Sequence, residues 1–180
     1  LAGDEGSPEY FYYPQAWREP YIGRRRETGF GLYGLLGIDR HDAPAVQAYR
    51  VLNYQFFGAP VALFFTIDRD MEQGSWVDYG MFLQSLMLAA REQGLETCAQ
   101  AAFCPYYDSV MPILGAPSEQ MLVCGMSIGY ADPDAVINEY RTSRLPVDVF
   151  RTRLGSPTAT GLSPLFSVAL SPLFSTSSPL

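Results

Sequence analysis

Histidine is almost absent from this sequence, which has His41 alone among 180 residues. The H-E-x-x-H pattern of zinc proteases therefore cannot occur, and the G-K-[ST] ending of a P-loop is missing as well. No G-x-G-x-x-G follows a predicted strand, so a Rossmann-type dinucleotide site has no support. Because no strong nucleophile has a base beside it, no catalytic side chain is predicted. An enzyme built from this chain would rely on a cofactor for its difficult chemistry.

Cysteine is scarce too, and its three residues, Cys98, Cys104 and Cys124, form no C-x-x-C pair. An odd number of thiols with no histidine nearby predicts neither a disulfide framework nor a metal site. Reduced thiols are typical of the cytoplasm, which is the predicted location. Cys98 is expected to be a small, buried apolar side chain. No charged segment followed by an apolar one opens the chain, so a signal peptide is not predicted.

Positive charge is outnumbered, with 12 basic against 19 acidic residues and a formal net charge of −7. An acidic protein is a poor partner for nucleic acid, whose phosphates need a basic surface. The only basic run is Arg24-Arg25-Arg26. Two interpretations of this run stay open: a solvated helix surface, or a contact with an anion or a second copy of the chain.

An apolar helix is predicted over residues 76–93, with Ser75 as N-cap, Asp78 completing a capping box and Gly94 as left-handed C-cap. Residues 79–90 carry no charge, and apolar side chains go all the way round. Such a helix is buried in a core or in a subunit interface, and Leu86 is expected in the interface. A bilayer needs about 20 apolar residues, so no membrane span is predicted.

The remaining patterns predict an α+β fold. Helices are predicted over residues 14–36 and from Asp42, as N-cap before Ala43-Pro44, to residue 56. A continuous apolar run at 61–67 predicts a strand that is buried on both faces. A second strand is predicted at 121–128, where Gly125 indicates a close approach by a neighbour.

Five sequence blocks carry a resemblance to a known family. The central block, residues 74–98, is G-S-W-x-D-x-G-x-x-x-Q-x-L-x-L-A-A-x-x-x-G-L-x-T-C. The others are W-x-x-P-Y-x-x-R-R-R-x-x-G at 17–29, N-x-x-F-F-G-A-P at 53–60, V-C-G-M-S-I-G-Y-A-D at 123–132 and N-x-x-R-T-S-R-L-P at 138–146. In order and spacing they resemble the nitroreductase-like FMN-dependent oxidoreductases, in the p-nitrobenzoate-reductase-like branch.

The resemblance implies a homodimer of helices packed on a small mixed sheet, with FMN at the dimer interface. The flavin would take electrons from NAD(P)H and pass them to a nitroaromatic, quinone or similar small acceptor by a ping-pong cycle. Two alternatives stay open. One is another flavin chemistry on the same scaffold, such as dehalogenation, enone reduction or flavin destruction. The other is an inactive or weakly flavin-binding fragment that only dimerises.

The same resemblance implies the cofactor-binding residues. Arg144 falls on the family's phosphate arginine, with Arg141 as its helper, and a guanidinium fork suits a phosphate. Gln100 and Ala101 fall on the segment whose backbone amides face flavin N5 and O4. From the residues alone, the two arginines could be surface residues at a helix end, and residues 100–101 a small-residue turn.

Both ends of the chain depart from the family pattern. The chain opens on Leu1, and the family's N-terminal phosphate-binding and flavin-contacting motifs are not found, so the N-terminal portion is expected to be missing. Residues 1–150 are predicted to form a partial nitroreductase-like domain. Residues 151–180 are rich in Ser and Pro and repeat L-S-P-L-F-S, which predicts a low-complexity, disordered tail. A membrane or partner contact through its Leu-Phe pairs is the alternative.

Overall fold

The computed structural model describes residues 6–151. A boundary after Thr142 divides the chain into two compact units. The first unit contains α1 (Tyr21–Leu35), α2 (Ala43–Val51), β1 (Val61–Asp68), α3 (Gln73–Glu92), β2 (Glu96–Gln100), α4 (Tyr107–Leu114) and β3 (Gln120–Gly129), with 3-10 segments at Leu52–Gly58, Ala101–Tyr106 and Val136–Glu139. In its described part the second unit has the short helix α5 (Val147–Phe150). The predicted tail, apart from Arg151, lies outside the described residues.

The strands form one sheet in the order β1–β3–β2. β3 is central, and its Gly125 pairs with Phe64 of β1 on one side and with Gln100 of β2 on the other. Helices around a small sheet confirm the α+β class. Both pairings among the described strands are antiparallel, where the resemblance implied a mixed sheet.

The two faces of this sheet carry separate groups of buried side chains. Side chains alternate along a strand, so Phe64 and Phe65 point to opposite faces. One face, which we call the α3 face, buries Phe65, Ile67, Val123, Cys124 and Met126 under the inward side of α3. The other, which we call the aromatic face, packs Phe103, Met111 and Leu122 against Tyr54, Phe56, Phe64 and Tyr107.

Helix α3 begins at Gln73, earlier than predicted. Glu72 holds the N-cap position, and its side chain caps no backbone N–H. The amide of Ser75 already donates to the carbonyl oxygen of Glu72 at 2.9 Å, and the Ser75 hydroxyl lies 3.4 Å from the sulfur of Met71. The predicted capping box of Ser75 and Asp78 is therefore wrong, because the chain is helical before it reaches Ser75.

The C-terminal end of α3 has the predicted geometry. Gly94 has φ +74°, a left-handed conformation that glycine adopts without steric cost. The amides of Gly94 and Leu95 donate to the carbonyl oxygens of Arg91 and Ala90, both at 3.0 Å. These two bonds make a Schellman motif, which stops the helix and turns the chain into β2.

Burial of α3 on every side is not found within one chain. Its inward side packs on the sheet through partly buried residues that include Trp76, Tyr79 and Leu86. Its outward side exposes large apolar residues, with Val77 63% and Leu88 61% accessible. Leu86 therefore packs against the monomer core, where we expected it in a subunit interface.

Of four other predictions, one is confirmed and three need correction. Asp42 is the N-cap of α2, as predicted, and its Oδ1 accepts from the amide of Ala45 at 3.0 Å. The α-helix ends at Val51 rather than at residue 56, because the chain tightens into a 3-10 segment. Helix α1 starts at Tyr21 rather than at residue 14. β1 is fully buried at Phe65 and Ile67 on the α3 face, whereas Phe64 on the aromatic face is only partly buried, so the predicted burial on both faces is found only in part for this strand at the edge of the described sheet.

Candidate active site

The predicted flavin-contacting residues lie where β2 ends. Gln100 is the last residue of β2, and Ala101 begins a 3-10 segment that runs to Tyr106. The first N–H groups of a helical segment have no acceptor inside it, so they are available to another group. The amides that the resemblance assigns to flavin N5 and O4 therefore lie at the start of a 3-10 segment, where such donors have no acceptor within the segment.

Three contacts hold this segment to residues 52–58. The Gln100 side chain is 2% accessible and donates through Nε2 to the carbonyl oxygen of Asn53 at 2.7 Å. The Tyr54 hydroxyl donates to the carbonyl oxygen of Ala102 at 3.3 Å. The ring of Phe56 stacks on that of Phe103, with centroids 5.0 Å apart and an interplanar angle of 22°. We call these contacts the bracket.

Residues 52–58 reach this position through strained backbone. Phe56 and Phe57 have φ of 51° and 53°, in the left-handed region that is uncommon for bulky residues. Each such residue costs on the order of 1–3 kcal/mol, and the surrounding structure must supply the compensation. The aromatic face does so for Phe56, whose ring also meets Phe64 edge-on at 5.8 Å.

Gly125 of β3 receives the ring of Phe103, which confirms the close approach predicted there. A Cβ atom at this position would lie 2.7 Å from Cδ2 and 3.0 Å from Cε2 of that ring. Tyr54 and Phe64 meet the same ring edge-on at 5.5 Å and 5.0 Å. Because rings surround it on several sides, Phe103 cannot move aside for a side chain at position 125.

The polar groups near the bracket have unusual environments. In the described part of the chain, Oε1 of Gln100 is buried and has no hydrogen-bond partner. A buried oxygen without a donor costs about 1–3 kcal/mol, so this position suits a ligand N–H. Burial, with the hydrogen bond to Tyr106, raises the pKa of Tyr54 to about 12, so its phenol stays neutral as a donor.

The two predicted phosphate arginines lie on either side of the unit boundary. Arg141 is the second-last residue of the first unit, and its Nη1 donates to the carbonyl oxygens of Asn138 and Tyr140 at 2.7 and 3.0 Å. Its side chain is exposed, and its Nε and Nη2 donors have no acceptor among the described residues. Arg144 lies in the second unit, is exposed, and donates from Nη1 to the carbonyl oxygen of Ser143 at 2.9 Å.

An apolar cavity of about 430 Å³ lies beside α3, lined by Tyr10, Phe11, Tyr12, Trp76, Tyr79, Gly80, Leu83 and Val123. The Tyr10 hydroxyl donates to the carbonyl oxygen of Val123 at 3.2 Å, and that of Tyr79 to Thr66 at 2.9 Å. Burial raises the pKa of Tyr10, so its phenol keeps its proton. These tyrosines therefore shape an aromatic cavity and do not supply an acid or base.

Two sequence patterns that resemble catalytic or binding motifs lie inside regular structure. Residues 125–129 have the spacing G-x-S-x-G, but all five are in β3, and Ser127 Oγ donates to the Cys98 carbonyl oxygen at 3.5 Å. A nucleophile elbow needs a strand-to-helix turn instead. Residues 29–34 have the spacing G-x-G-x-x-G but lie inside α1, which leaves no loop for a phosphate.

The remaining candidates have simple environments. Cys98 is exposed, not buried as expected, because it lies on the edge strand β2, while Cys104 and Cys124 are buried. His41 is exposed and accepts from Arg40 Nε at 3.0 Å. Among the described residues no cluster of His, Cys, Asp or Glu could hold a metal. No helix in residues 6–151 is long and apolar enough to cross a membrane.

A profile of the nitroreductase family matches residues 16–130, well over half of the chain. The chain belongs to the nitroreductase family. This family member is 41% identical over 141 residues to a 4-nitrobenzoate reductase of Pseudomonas putida, an alignment that covers 78% of the chain and 62% of the relative. It is 41% identical over 136 residues to a 4-nitrobenzoate reductase of Nocardioides sp. strain LMS-CY, covering 75% and 55%. The branch inferred from the sequence blocks is confirmed.

Solved structures agree with this fold. The FMN and NADPH-dependent nitroreductase NfnB from a Sphingopyxis strain matches with a TM-score of 0.81 and 38% identity, over 84% of this chain and 68% of that one. NfnB from Mycobacterium smegmatis, in complex with NADPH, matches with a TM-score of 0.77 and 30% identity, over 84% and 67%. This nitroreductase-family chain therefore spans about two thirds of each of these structures and less of the two reductases above.

The residues that position the predicted site were not predicted from sequence. The N-x-x-F-F-G-A-P block at 53–60 is part of the family resemblance, but the sequence pattern predicts the end of a helix there, where the structure has a 3-10 segment. Its Gly58 and the pair Phe56-Phe57 were the available signal, because large rings beside a glycine suggest a turn. The partner ring of Phe103 had no local signal, since it lies far along the chain.

Proposed function

We propose that this chain is an FMN-dependent oxidoreductase that passes electrons from NAD(P)H to nitroaromatic, quinone or similar acceptors. The observation that carries the proposal is the 41% identity to two 4-nitrobenzoate reductases, together with the 0.81 TM-score to an FMN and NADPH-dependent nitroreductase. When bound, the flavin supplies the hydride and electron transfer. The chain's own residues bind the flavin, orient it and shield it.

The end of β2 fits such a cofactor. An isoalloxazine ring carries carbonyl and N5 acceptors for backbone amides such as those that begin at Ala101. It also carries an N–H donor, which suits a buried acceptor such as Oε1 of Gln100. The bracket supports this assignment, because catalysis by fixed dipoles requires donors that do not reorganise.

The flavin phosphate needs a cation, and the proposed groups are Arg141 and Arg144. Arg141 uses only Nη1 within the described chain, which leaves its Nε and Nη2 edge for a phosphate. Arg144 is an exposed guanidinium on the short second unit. Both positions come from the N-x-x-R-T-S-R-L-P block, and both assignments are part of this proposal.

The proposed enzyme works as a homodimer in the cytoplasm. The outward side of α3 exposes Val77, Met81 and Leu88, with between 57% and 63% of each residue accessible. A contiguous apolar surface on a helix is typical of a subunit interface. A second copy of the chain would cover this surface and complete the burial that the apolar sequence of α3 requires.

The first test is flavin binding and turnover by the purified chain. We expect the chain to retain FMN through ultrafiltration, anaerobic NADPH to bleach the flavin absorption, and 4-nitrobenzoate or a quinone to restore it. Retention of FMN without bleaching by NADPH or NADH would contradict the proposed activity. Absence of any FMN binding would favour the alternative of a fragment that only dimerises.

The second test concerns Arg144. A charge-assisted contact contributes about 1.5–3 kcal/mol, so Arg144→Ala should weaken FMN binding by roughly tenfold or more. Arg151→Ala is the matched control, because Arg151 lies in the same unit and pairs with Asp148. Circular dichroism would check that both variants keep the fold. Equal FMN affinity in the two variants would make the assignment of Arg144 wrong.

A further inference from the structure

Several arginine and aromatic side chains alternate on the surface formed by residues 13–25. Arg25 lies over the rings of Trp17 and Tyr13, with its guanidinium carbon 4.7 and 5.6 Å from their centroids. Arg18 and Arg24 lie over Tyr21 at 4.9 and 5.9 Å. We call these six residues the arginine–aromatic cluster. Guanidinium groups stacked in this way are held in place while their N–H edges face outward.

No ion pair among the described residues neutralises the arginines of this cluster. Arg69, Arg91 and Arg151 each pair with a carboxylate, on Glu9, Glu96 and Asp148. Within residues 6–151 no carboxylate lies at ion-pair distance from Arg18, Arg24, Arg25 or Arg26. In a chain with a net charge of −7, an uncompensated group of arginines is an anion-attracting surface.

A cavity with two aromatic lining residues adjoins this charge. It measures about 230 Å³ and is lined by Pro14, Ala16, Trp17, Arg18 and Tyr21. Aromatic walls stack on purine rings, and neighbouring guanidiniums bind phosphate through paired N–H bonds. The cluster therefore combines the two chemistries that a phosphorylated adenosine needs.

Helix α1 connects the cluster with the predicted cofactor site. Arg24, Thr28 and Gly31 have the spacing i, i+4, i+7 and share one helix face. That face meets Tyr140, whose hydroxyl donates to the carbonyl oxygen of Thr28 at 3.0 Å and would lie 2.5 Å from a Cβ on Gly31. Arg141 follows directly. At 1.5 Å per residue, Arg24 lies about 6 Å along α1 from Thr28 and about 10 Å from Gly31, so the cluster adjoins the part of α1 that contacts the neighbour of Arg141.

We propose that the arginine–aromatic cluster binds the 2′-phosphorylated adenosine of NADPH, with the phosphate on Arg24 and Arg25 and the purine in the cavity between Trp17 and Tyr21. The cluster would select NADPH over NADH. This inference rests on the proposed function, because it names which nicotinamide coenzyme that function uses.

The test is a binding experiment on the whole chain that needs no flavin. The sequence has two tryptophans, so Trp76→Phe leaves Trp17 as the only tryptophan reporter. Fluorescence titrations would compare 2′,5′-ADP, 5′-AMP and inorganic phosphate, with calorimetry on the unmodified chain as a second readout. We expect 2′,5′-ADP to bind at least about tenfold more tightly than either of the others, as one charge-assisted contact allows.

Arginine variants then test whether the 2′-phosphate binds at Arg24 and Arg25. Arg24→Ala and Arg25→Ala should each weaken 2′,5′-ADP binding by about tenfold and change 5′-AMP binding little. Arg91→Ala is the control, because it makes the same charge change at an ion pair on α3. Equal affinity for 2′,5′-ADP and 5′-AMP would overturn the proposal. Binding of inorganic phosphate as tight as that of 2′,5′-ADP would also overturn it. A tenfold loss of 2′,5′-ADP affinity in the Arg91→Ala variant would overturn it as well.

Failure of this inference and failure of the proposed function give different results. If NADH and NADPH reduce bound FMN equally well and 2′,5′-ADP is not preferred, the cluster has no role in coenzyme selection while the oxidoreductase activity stands. If neither coenzyme reduces FMN but 2′,5′-ADP still binds through Arg24 and Arg25, the cluster is confirmed as a phosphoadenosine site and the proposed activity is wrong.

Discussion

The two faces of the sheet are packed in different ways. The α3 face is covered by one regular helix of 20 residues, whose inward side follows the helical period. The aromatic face is covered by 3-10 segments, a short helix and rings that meet edge-on or stacked. The first arrangement depends on periodicity within one segment, and the second depends on particular pairs of residues far apart in sequence. A substitution on the aromatic face should therefore be the more disruptive.

The largest difference is expected when the central ring of the aromatic face is removed. Phe103→Ala deletes a side chain that is 6% accessible, and such changes cost about 3–5 kcal/mol. Leu83→Ala is the comparison on the α3 face, and it should cost less because Leu83 is only partly buried. Urea unfolding measures both free energies. Equal losses would remove the contrast between the two faces.

A glycine on each side gives a second comparison. Gly125→Ala places a methyl group 2.7 Å from the Phe103 ring, and such overpacking costs about 1–3 kcal/mol. Gly80→Ala in α3 meets no atom within 4 Å and should stabilise by about 0.5–1 kcal/mol, because alanine favours a helix. The melting temperature should therefore fall in the Gly125→Ala variant and rise in the Gly80→Ala variant.

Phe103→Leu should cost less stability in the Gly125→Ala background than in the unmodified chain, because the smaller side chain makes room for the methyl group. The double-mutant cycle isolates this coupling. A strictly additive result would mean that the ring does not limit position 125.

Alkaline pH provides a third comparison. Burial raises the pKa of Cys124, on the α3 face, from 9.0 to about 11, and that of Tyr54, on the aromatic face, from 10.0 to about 12. Each group stabilises the fold fully below its unfolded pKa, and this contribution is lost as pH rises through the folded value. In the Cys124→Ala variant the free energy of unfolding should fall less steeply between about pH 9 and 11 than in the unmodified chain. In the Tyr54→Phe variant it should fall less steeply between about pH 10 and 12. Unchanged slopes would contradict these burials.

The smallest effect on folding is expected at the outer side of α3. Leu88→Glu changes a residue that is 61% accessible, and exposed substitutions usually stay within about 0.5 kcal/mol. The same change should dissociate the proposed dimer, which sedimentation at several concentrations would detect. Leu86→Glu is the contrast, because it introduces a charge into the α3 face and should unfold the chain. A Leu88→Glu dimer of normal affinity would exclude this surface as the interface.

The elements with a local signal were predictable from sequence. The cap of α2 at Asp42, the Schellman end of α3 at Gly94 and the central strand around Gly125 all depend on a few neighbouring residues, and all three are found. The start of α3 was not predictable, because its N-cap position is held by Glu72, which is not a favoured capping residue and caps no backbone N–H. The local pattern favours Ser75, which lies inside the helix.

The candidate site was predictable only in part. The family blocks pointed to Gln100 and Ala101, but nothing local to them indicates the partners that hold them. β1 and α3 separate Asn53 and Tyr54 from this segment in the sequence. The sequence pattern predicts a helix at these two residues. Contacts between such distant residues are chosen by packing and not by local propensity, so periodicity cannot find them.

The bracket also has a consequence for the order of folding. It joins residues separated by 47 and 48 positions, across a strand, the long helix and a second strand. The chain gains little by closing so long a loop until β1 and β2 have both paired with β3 and brought its ends together. The backbone amides at Ala101 should therefore be among the last groups to reach their final positions. A refolding chain would then become able to bind flavin only after its sheet is complete.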